Sequence, residues 1–185
     1  MSLPPVHKSD EDALVAAARG GDTGAFGNLV DAYGGAVFNL ALRMVGNRED
    51  ARDLAQVVFV KAYEKLGTFD GRSRFFSWIY RIAINESLNW LGRRKHQVEL
   101  DESLESGERR PDQRAEASEE ERMVQEAMKD LTVEYRQVIV LRHFMDLSHA
   151  EMAGVLQLPE KTVKSRLHTA RERLGEALRK RGFAR

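Results

Sequence analysis

Residues 96–118, HQVELDESLESGERRPDQRAEAS, hold few large apolar side chains and no sustained hydrophobic period. Such a run cannot bury enough surface to offset the entropy of ordering it, and it reads as a flexible tether. It divides a chain of 185 residues into two short pieces, each the size of one small domain. On either side, apolar residues recur at three- and four-residue steps, the period of a helix that buries one face. The fold class that follows is all-α: two small helical domains, 10–95 and 119–185, joined by the flexible acidic linker 96–118. Residues 1–9 are expected to be a disordered arm, because Pro4 and Pro5 discourage regular structure.

In the first piece, a helix beginning at Ser9 or Asp10 uses Leu14, Val15 and Ala18, and Gly20-Gly21 stops it. A second opens at Asp22 or Thr23 and reaches Gly46, with a bend expected at Gly34-Gly35. A third follows Asn47. Glu49, Asp50 and Asp53 fall in its early turns, where acids suit the helix dipole, and Ala51, Leu54, Val58 and Ala62 lead its inner face. After a loop at 67–74 comes Phe75 to Lys95, FFSWIYRIAINESLNWLGRRK. One wide side of this helix, including Ile79, Tyr80, Ala83, Ile84 and Trp90, is apolar enough to dock in a core.

The other side aligns Trp78, Arg81, Asn85 and Asn89 as an expected exposed stripe. Thr68, Phe69, Arg72 and Arg74 lie in the loop ahead of it, and Arg93, Arg94 and Lys95 behind. A ring, a cation and two amides suit an unpaired nucleic-acid strand. Stacking on an aromatic contributes about 1–3 kcal/mol per base, and amides can read the edge of a base that has left its stack. Equally, Trp78 can cap the core while the arginines are solvated, and this segment alone leaves both readings open.

In the second piece, a helix near Glu119 carries Met123, Val124, Ala127, Met128 and Leu131, and another runs from about Val133 to Phe144. Ser148 and Glu151 form a capping box on HAEMAGVL, Gln157-Leu158-Pro159 make a turn, and Glu160 opens a long helix to about Arg181. A helix-turn-helix needs a small residue at the crossing, an apolar residue in the turn and a branched residue early in the second helix. Ala153, Leu158 and Val163 supply them, five residues apart each time. Gln157 stands where many such turns use glycine to adopt a left-handed conformation, at a cost of about 1 kcal/mol. Val163, Leu167, Ala170, Leu174 and Leu178 form the inward stripe, leaving Lys161, Lys164, Ser165, His168, Thr169 and Arg171 to face a major groove. The competing reading is an ordinary helical hairpin with a solvated basic face; spacing and charge together favour DNA.

The formal net charge of zero conceals a partition. Residues 72–95 hold six basic residues and one acidic, a net of +5; residues 164–185 hold eight and two, a net of +6. Between them, residues 96–122 hold ten acidic and four basic, a net of −6. Local field governs polyanion binding more than the average does, so two basic patches on an acidic tether remain compatible with nucleic acid. The absence of cysteine excludes disulfides, thiol redox sensing and cysteine-ligated zinc. The five histidines lack metal spacing, and no clustered carboxylate–histidine set suggests a nuclease, so neither cofactor nor metal is expected. With no apolar run near twenty residues and no apolar core in MSLPPVHKSDED, a cytoplasmic location is the default expectation.

The segments DLAQVVFVKAY, FFSWIYRIAINESLNWLGRRK and LSHAEMAGVLQLPEKTVKSRLHTARERL, in that order, resemble bacterial RNA polymerase sigma factors of the extracytoplasmic-function group. Asp22 to Lys95 looks like that family's region 2 and Glu119 to Lys180 like its region 4. The resemblance implies a promoter-specificity subunit that is not itself an enzyme. Its expected partners are core RNA polymerase, at the β′ clamp helices and β flap, promoter DNA, and an anti-sigma factor. By the same resemblance, Asp50, Asp53 and Gln56, on the expected exposed side of the third helix, match clamp-docking positions, although Val57 stands where the family usually has glutamate. Asn85 matches the pocket for a base flipped from the −10 element, with Trp78, Arg81, Asn89 and the loop Thr68 to Arg74 around it. Lys161, Lys164, Ser165 and His168 would meet the −35 element, with Arg166 and Arg171 on phosphates; Thr169 sits where some members carry arginine. A stand-alone helix-turn-helix regulator, with residues 1–95 sensing or dimerising, is the alternative.

Overall fold

The computed structural model describes residues 8–100 and 118–183, with side chains described from 9 to 97 and from 118 to 183. The expected arm 1–9 falls outside them up to residue 7; Lys8 and Ser9 are already helical. No strand occurs among the described residues.

Four helices build the first half: α1 (Lys8–Arg19), α2 (Thr23–Val45), α3 (Arg48–Lys65) and α4 (Phe75–Leu100). Each junction has a chemical cause. Asp22 caps α2 by accepting the Ala25 N–H at 3.0 Å. Gly46 closes α2 in the left-handed conformation, φ 78°, and donates to Leu42 O. Asn47 then caps α3, its Oδ1 accepting from the Glu49 and Asp50 N–H groups at 2.8 and 3.1 Å. The expected bend at Gly34-Gly35 does not interrupt α2, which runs as one helix through both. Leu29, Tyr33, Val37, Leu40 and Met44 of α2 meet Ala51, Leu54, Val58 and Ala62 of α3 and Phe75, Ile79 and Ala83 of α4 in the core.

The second half has α5 (Glu119–Lys129), α6 (Val133–Ile139), a single wide π turn (Val140–Phe144), α7 (His149–Leu156) and α8 (Glu160–Lys180). Ser118 and Ser148 both close complete capping boxes, with Glu121 and Glu151 respectively. Gln157 takes the left-handed conformation expected of it, φ 53° and ψ 44°, and turns α7 into α8. Met128, Ile139, Leu141, Leu147, Met152 and Leu167 fill this half.

The boundaries of the tether differ from expectation. α4 continues five residues past Lys95 to Leu100, and Ser118 belongs to the cap of α5. A long helix already nucleated upstream can run on into residues with no helical period of their own. Of the expected linker, 101–117 lies outside the described residues.

The two halves touch. The last carbonyls of α2, which a helix cannot satisfy internally, receive donors from the second half. Gln125 Nε2 reaches Leu42 O and Arg43 O, both at 3.4 Å, and Arg136 Nη1 reaches Met44 O at 2.6 Å. Arg136 also donates to Met128 O, Lys129 O and Leu131 O, closing α5 with the same guanidinium. The Arg43 guanidinium lies 4.5 Å over the Phe144 ring, and α7 packs on α4.

Candidate nucleic-acid interface

α4 presents a polar ladder at four-residue steps: Arg81 half-buried, then Asn85, Asn89 and Arg93 exposed. Four residues is close to one helical turn, so these side chains rise along one side and can follow a single strand. Two sequence expectations fail here. Trp78 is 6% exposed and Phe69 4%, so neither ring offers a face to an unpaired base. Instead they form a cluster: Trp78 lies 5.4 Å from Phe69 and 5.6 Å from Phe75, and Phe69 lies 5.9 Å from Phe75. Phe69, directly after the turn Leu66–Thr68, closes this cluster against the first turn of α4. Of the two readings of Trp78, core capping is the one the packing supports.

The loop itself is ordered by short-range bonds. Thr68 is exposed, its hydroxyl donating to Lys65 O at 2.7 Å. Asp70 accepts from the Arg72 N–H at 3.0 Å across Gly71, whose φ of 71° favours glycine. This projects the Arg72 side chain outward, 90% exposed and 3.6 Å from the Asp70 carboxylate. Arg74 is half-buried, 5.0 Å over the Phe76 ring.

On α3, Asp53 and Gln56 are exposed as expected, but Asp50 is not on the outer side. Its side chain is 14% exposed and lies 3.5 Å from Arg94 Nη1, which is itself 5.1 Å over the Trp90 ring. Asp50 is covered because the C-terminal half of α4 places Arg94 alongside the start of α3. Beyond Gln56, α3 exposes Val57, Val60 and Tyr63. Lys61 makes a 2.7 Å ion pair with Glu86, the single acid of the basic segment 72–95. Sequence reasoning missed that pair, since residues 25 apart in the chain carry no shared period.

On α8, Lys161, Lys164, Ser165, His168 and Arg171 are exposed, while Arg166 and Thr169 are half-buried. Lys164 pairs with Glu160 at 2.7 Å and His168 Nε2 lies 3.6 Å from Glu172. Arg171 Nε donates to His143 Nε2 at 3.2 Å. Burial first, then Arg171 and Arg142, holds the His143 pKa below the ordinary value of 6.5, so the ring stays neutral and able to accept.

No group of acidic, histidine or cysteine side chains with metal-binding arrangement occurs among the described residues. No helix there is long and apolar enough to cross a membrane. The arrangement is that of two helical modules, one with a cation-and-amide ladder and the other with a basic helix-turn-helix.

Residues 29–97 match the family model for sigma-70 region 2, and residues 121–174 that for sigma-70 region 4. The chain is 33% identical over 171 residues to the ECF RNA polymerase sigma factor SigW of Bacillus subtilis (strain 168), spanning 86% of this chain and 91% of that one. It is 35% identical over 174 residues to the ECF RNA polymerase sigma-E factor of Escherichia coli (strain K12), spanning 88% and 91%. Among solved structures, CnrH in complex with the cytosolic domain of CnrY is similar at TM-score 0.71 and 29% identity, over 91% of this chain and 97% of that one. The sigma factor RpoE in complex with the anti-sigma factor NepR, from Bartonella quintana, is similar at TM-score 0.69 and 26% identity, over 83% and 96%.

The chain belongs to the sigma-70 family, in its extracytoplasmic-function group. It is an alternative sigma factor, a non-enzymatic subunit whose domains bind core RNA polymerase and promoter DNA to direct initiation. The stand-alone regulator is not favoured.

Proposed function

We propose that Asn85 receives a base flipped out of the −10 element, with Arg81 and Asn89 flanking it on α4 and Arg72 reaching the strand backbone. The observation that carries this reading is the Arg81–Asn85–Asn89 ladder, with both amides exposed, on the helix that follows the loop projecting Arg72. Unpairing a base costs a few kcal/mol, a sum that amide and cation contacts to the separated strand can offset without ATP. Trp78 and Phe69 act from behind, as the packed wall that keeps α4 and the loop in register. On α8, Lys161, Lys164, Ser165 and His168 read the −35 element, while Arg166, Thr169 and Arg171 lie against its phosphates.

Asp53 and Gln56 dock on the β′ clamp helices of the polymerase, with the second half on the β flap. Asp50 contributes there by holding Arg94. The similar sigma factor RpoE was captured with the anti-sigma factor NepR, and an anti-sigma factor for this chain would cover its polymerase-facing surfaces. The site of action is the cytoplasm, where polymerase works.

Runoff transcription with purified core polymerase and a promoter library tests the whole reading and yields a cognate promoter. On that promoter, Asn85→Ala should cut open-complex formation by about tenfold, the loss of about 1.4 kcal/mol of strand binding, while duplex −35 binding is retained. Unaltered opening by Asn85→Ala removes the pocket assignment.

A further inference from the structure

Glu11, on α1, lies outside both stretches matched by the family models and plays no part in the contacts proposed above. It is 0% exposed. A carboxylate shut away from water needs partners, and this one draws them from α2 and from the start of α4. Its Oε1 accepts the Phe75 N–H at 3.1 Å and lies 3.5 Å from Arg74 Nε; its Oε2 accepts the Tyr33 hydroxyl. Phe75 is the first residue of α4, so its N–H is one of those a helix cannot satisfy by itself. The residue in the capping position is Arg74, whose side chain has no acceptor to offer.

Glu11 therefore supplies from another helix what a local cap would supply elsewhere, and it sets negative charge at the positive end of a 26-residue helix. Tyr33 completes the arrangement. Burial, followed by Glu11 itself, pushes its hydroxyl pKa up, so it stays a donor. Arg74, held between Glu11 and the Phe76 ring, ends the loop that projects Arg72.

We infer that Glu11 is a positioning residue for promoter opening: it ties the junction of the 67–74 loop and α4, at Arg74 and Phe75, to α1 and α2, so that Arg72 and the Arg81–Asn85–Asn89 ladder meet one displaced strand together. The inference rests on the assignment of that strand to α4. Its test uses the full chain in holoenzyme, well below the unfolding temperature, with two probes made from the cognate promoter. One is a forked fragment with a single-stranded non-template −10 element, and the other is duplex carrying only the −35 element.

Glu11→Ala should bind the forked fragment about tenfold more weakly, or about 1.4 kcal/mol, with −35 duplex and core polymerase affinity unchanged. Glu11→Gln keeps an acceptor for the Phe75 N–H but drops the charge facing Arg74, and should fall between the two; it carries the test if the alanine variant fails to fold. Because Glu11 acts through Arg74, the Glu11→Ala, Arg74→Ala double variant should lose less than the two single losses combined. Equal losses on both probes would mark a general folding role and overturn the inference. Full forked-fragment binding by Glu11→Ala, where Asn85→Ala weakens it, overturns the inference and spares the pocket. Full binding by both removes the pocket and the inference together.

Discussion

α4 and α8, the two helices proposed to meet nucleic acid, are held in different ways. α8 takes most of its surface pairs from its own neighbours in sequence, Glu160 with Lys164 and His168 with Glu172; Arg171 reaches His143, Arg181 just past its end reaches Asp130, and Val163, Leu167 and Ala170 form an inner stripe against α5, α6 and α7. α4 is organised by everything around it. Glu11 of α1 takes its first N–H, Lys61 of α3 neutralises Glu86, Phe69 of the loop covers Trp78, and α7 packs on its flank. A helix that reads intact duplex needs a straight rod with a basic edge, which local rules can supply. A surface that seizes a displaced strand must hold several groups in fixed relation, and that takes contacts between elements.

The sharpest way to break this contrast is in the core of α4. Ile79 is wholly buried, and Ile79→Ala should cost about 3 kcal/mol by denaturant unfolding, because several packed elements cannot all collapse into the space. A loss under about 1 kcal/mol would show that α4 is not so enclosed. Next comes Arg136, which serves both halves. Arg136→Ala removes the side-chain donor from Met44 O at the end of α2 and an additional donor from Met128 O at the end of α5, and should cost about 2 kcal/mol, with unfolding no longer a single transition. If one sharp transition persists, the contact between halves is not what couples them.

The local side of the contrast gives smaller effects. Ser148→Ala removes the capping box of α7 and should cost about 1 kcal/mol, measured by thermal unfolding. Smaller still is a pH effect at His143. Its native pKa lies below the unfolded value, so the unfolded chain takes up the proton first as pH falls. Its contribution is complete above about pH 6.5 and is lost as pH drops through the native value, when the ring can no longer accept from Arg171. Between pH 7 and 5 the melting temperature should therefore fall more steeply than in His143→Gln. Parallel slopes would detach His143 from α8.

Legibility followed the same line. The capping boxes, the left-handed Gln157 and the inward stripe of α8 were readable because each depends on residues within a turn or two. Trp78 was misplaced because helical period tells which side of a helix a residue occupies and not what folds over that side. Asp50 was misplaced for the same reason, since no period shows that Arg94 of α4 comes to lie over it. Glu11 gave no signal at all: an acid near the start of an amphipathic helix looks like any dipole partner until the chain 64 residues on arrives beside it.

The sequence by itself determined that the chain is helical, where most helices begin and end, and which helices carry positive charge, since these follow from periodicity and capping between close neighbours. Only the tertiary structure decided which rings are buried, which acids stay outside, and that the two halves meet through Gln125 and Arg136. Those outcomes turn on whether distant segments bury one another, and desolvation acts on the assembled surface, which no short window of residues contains.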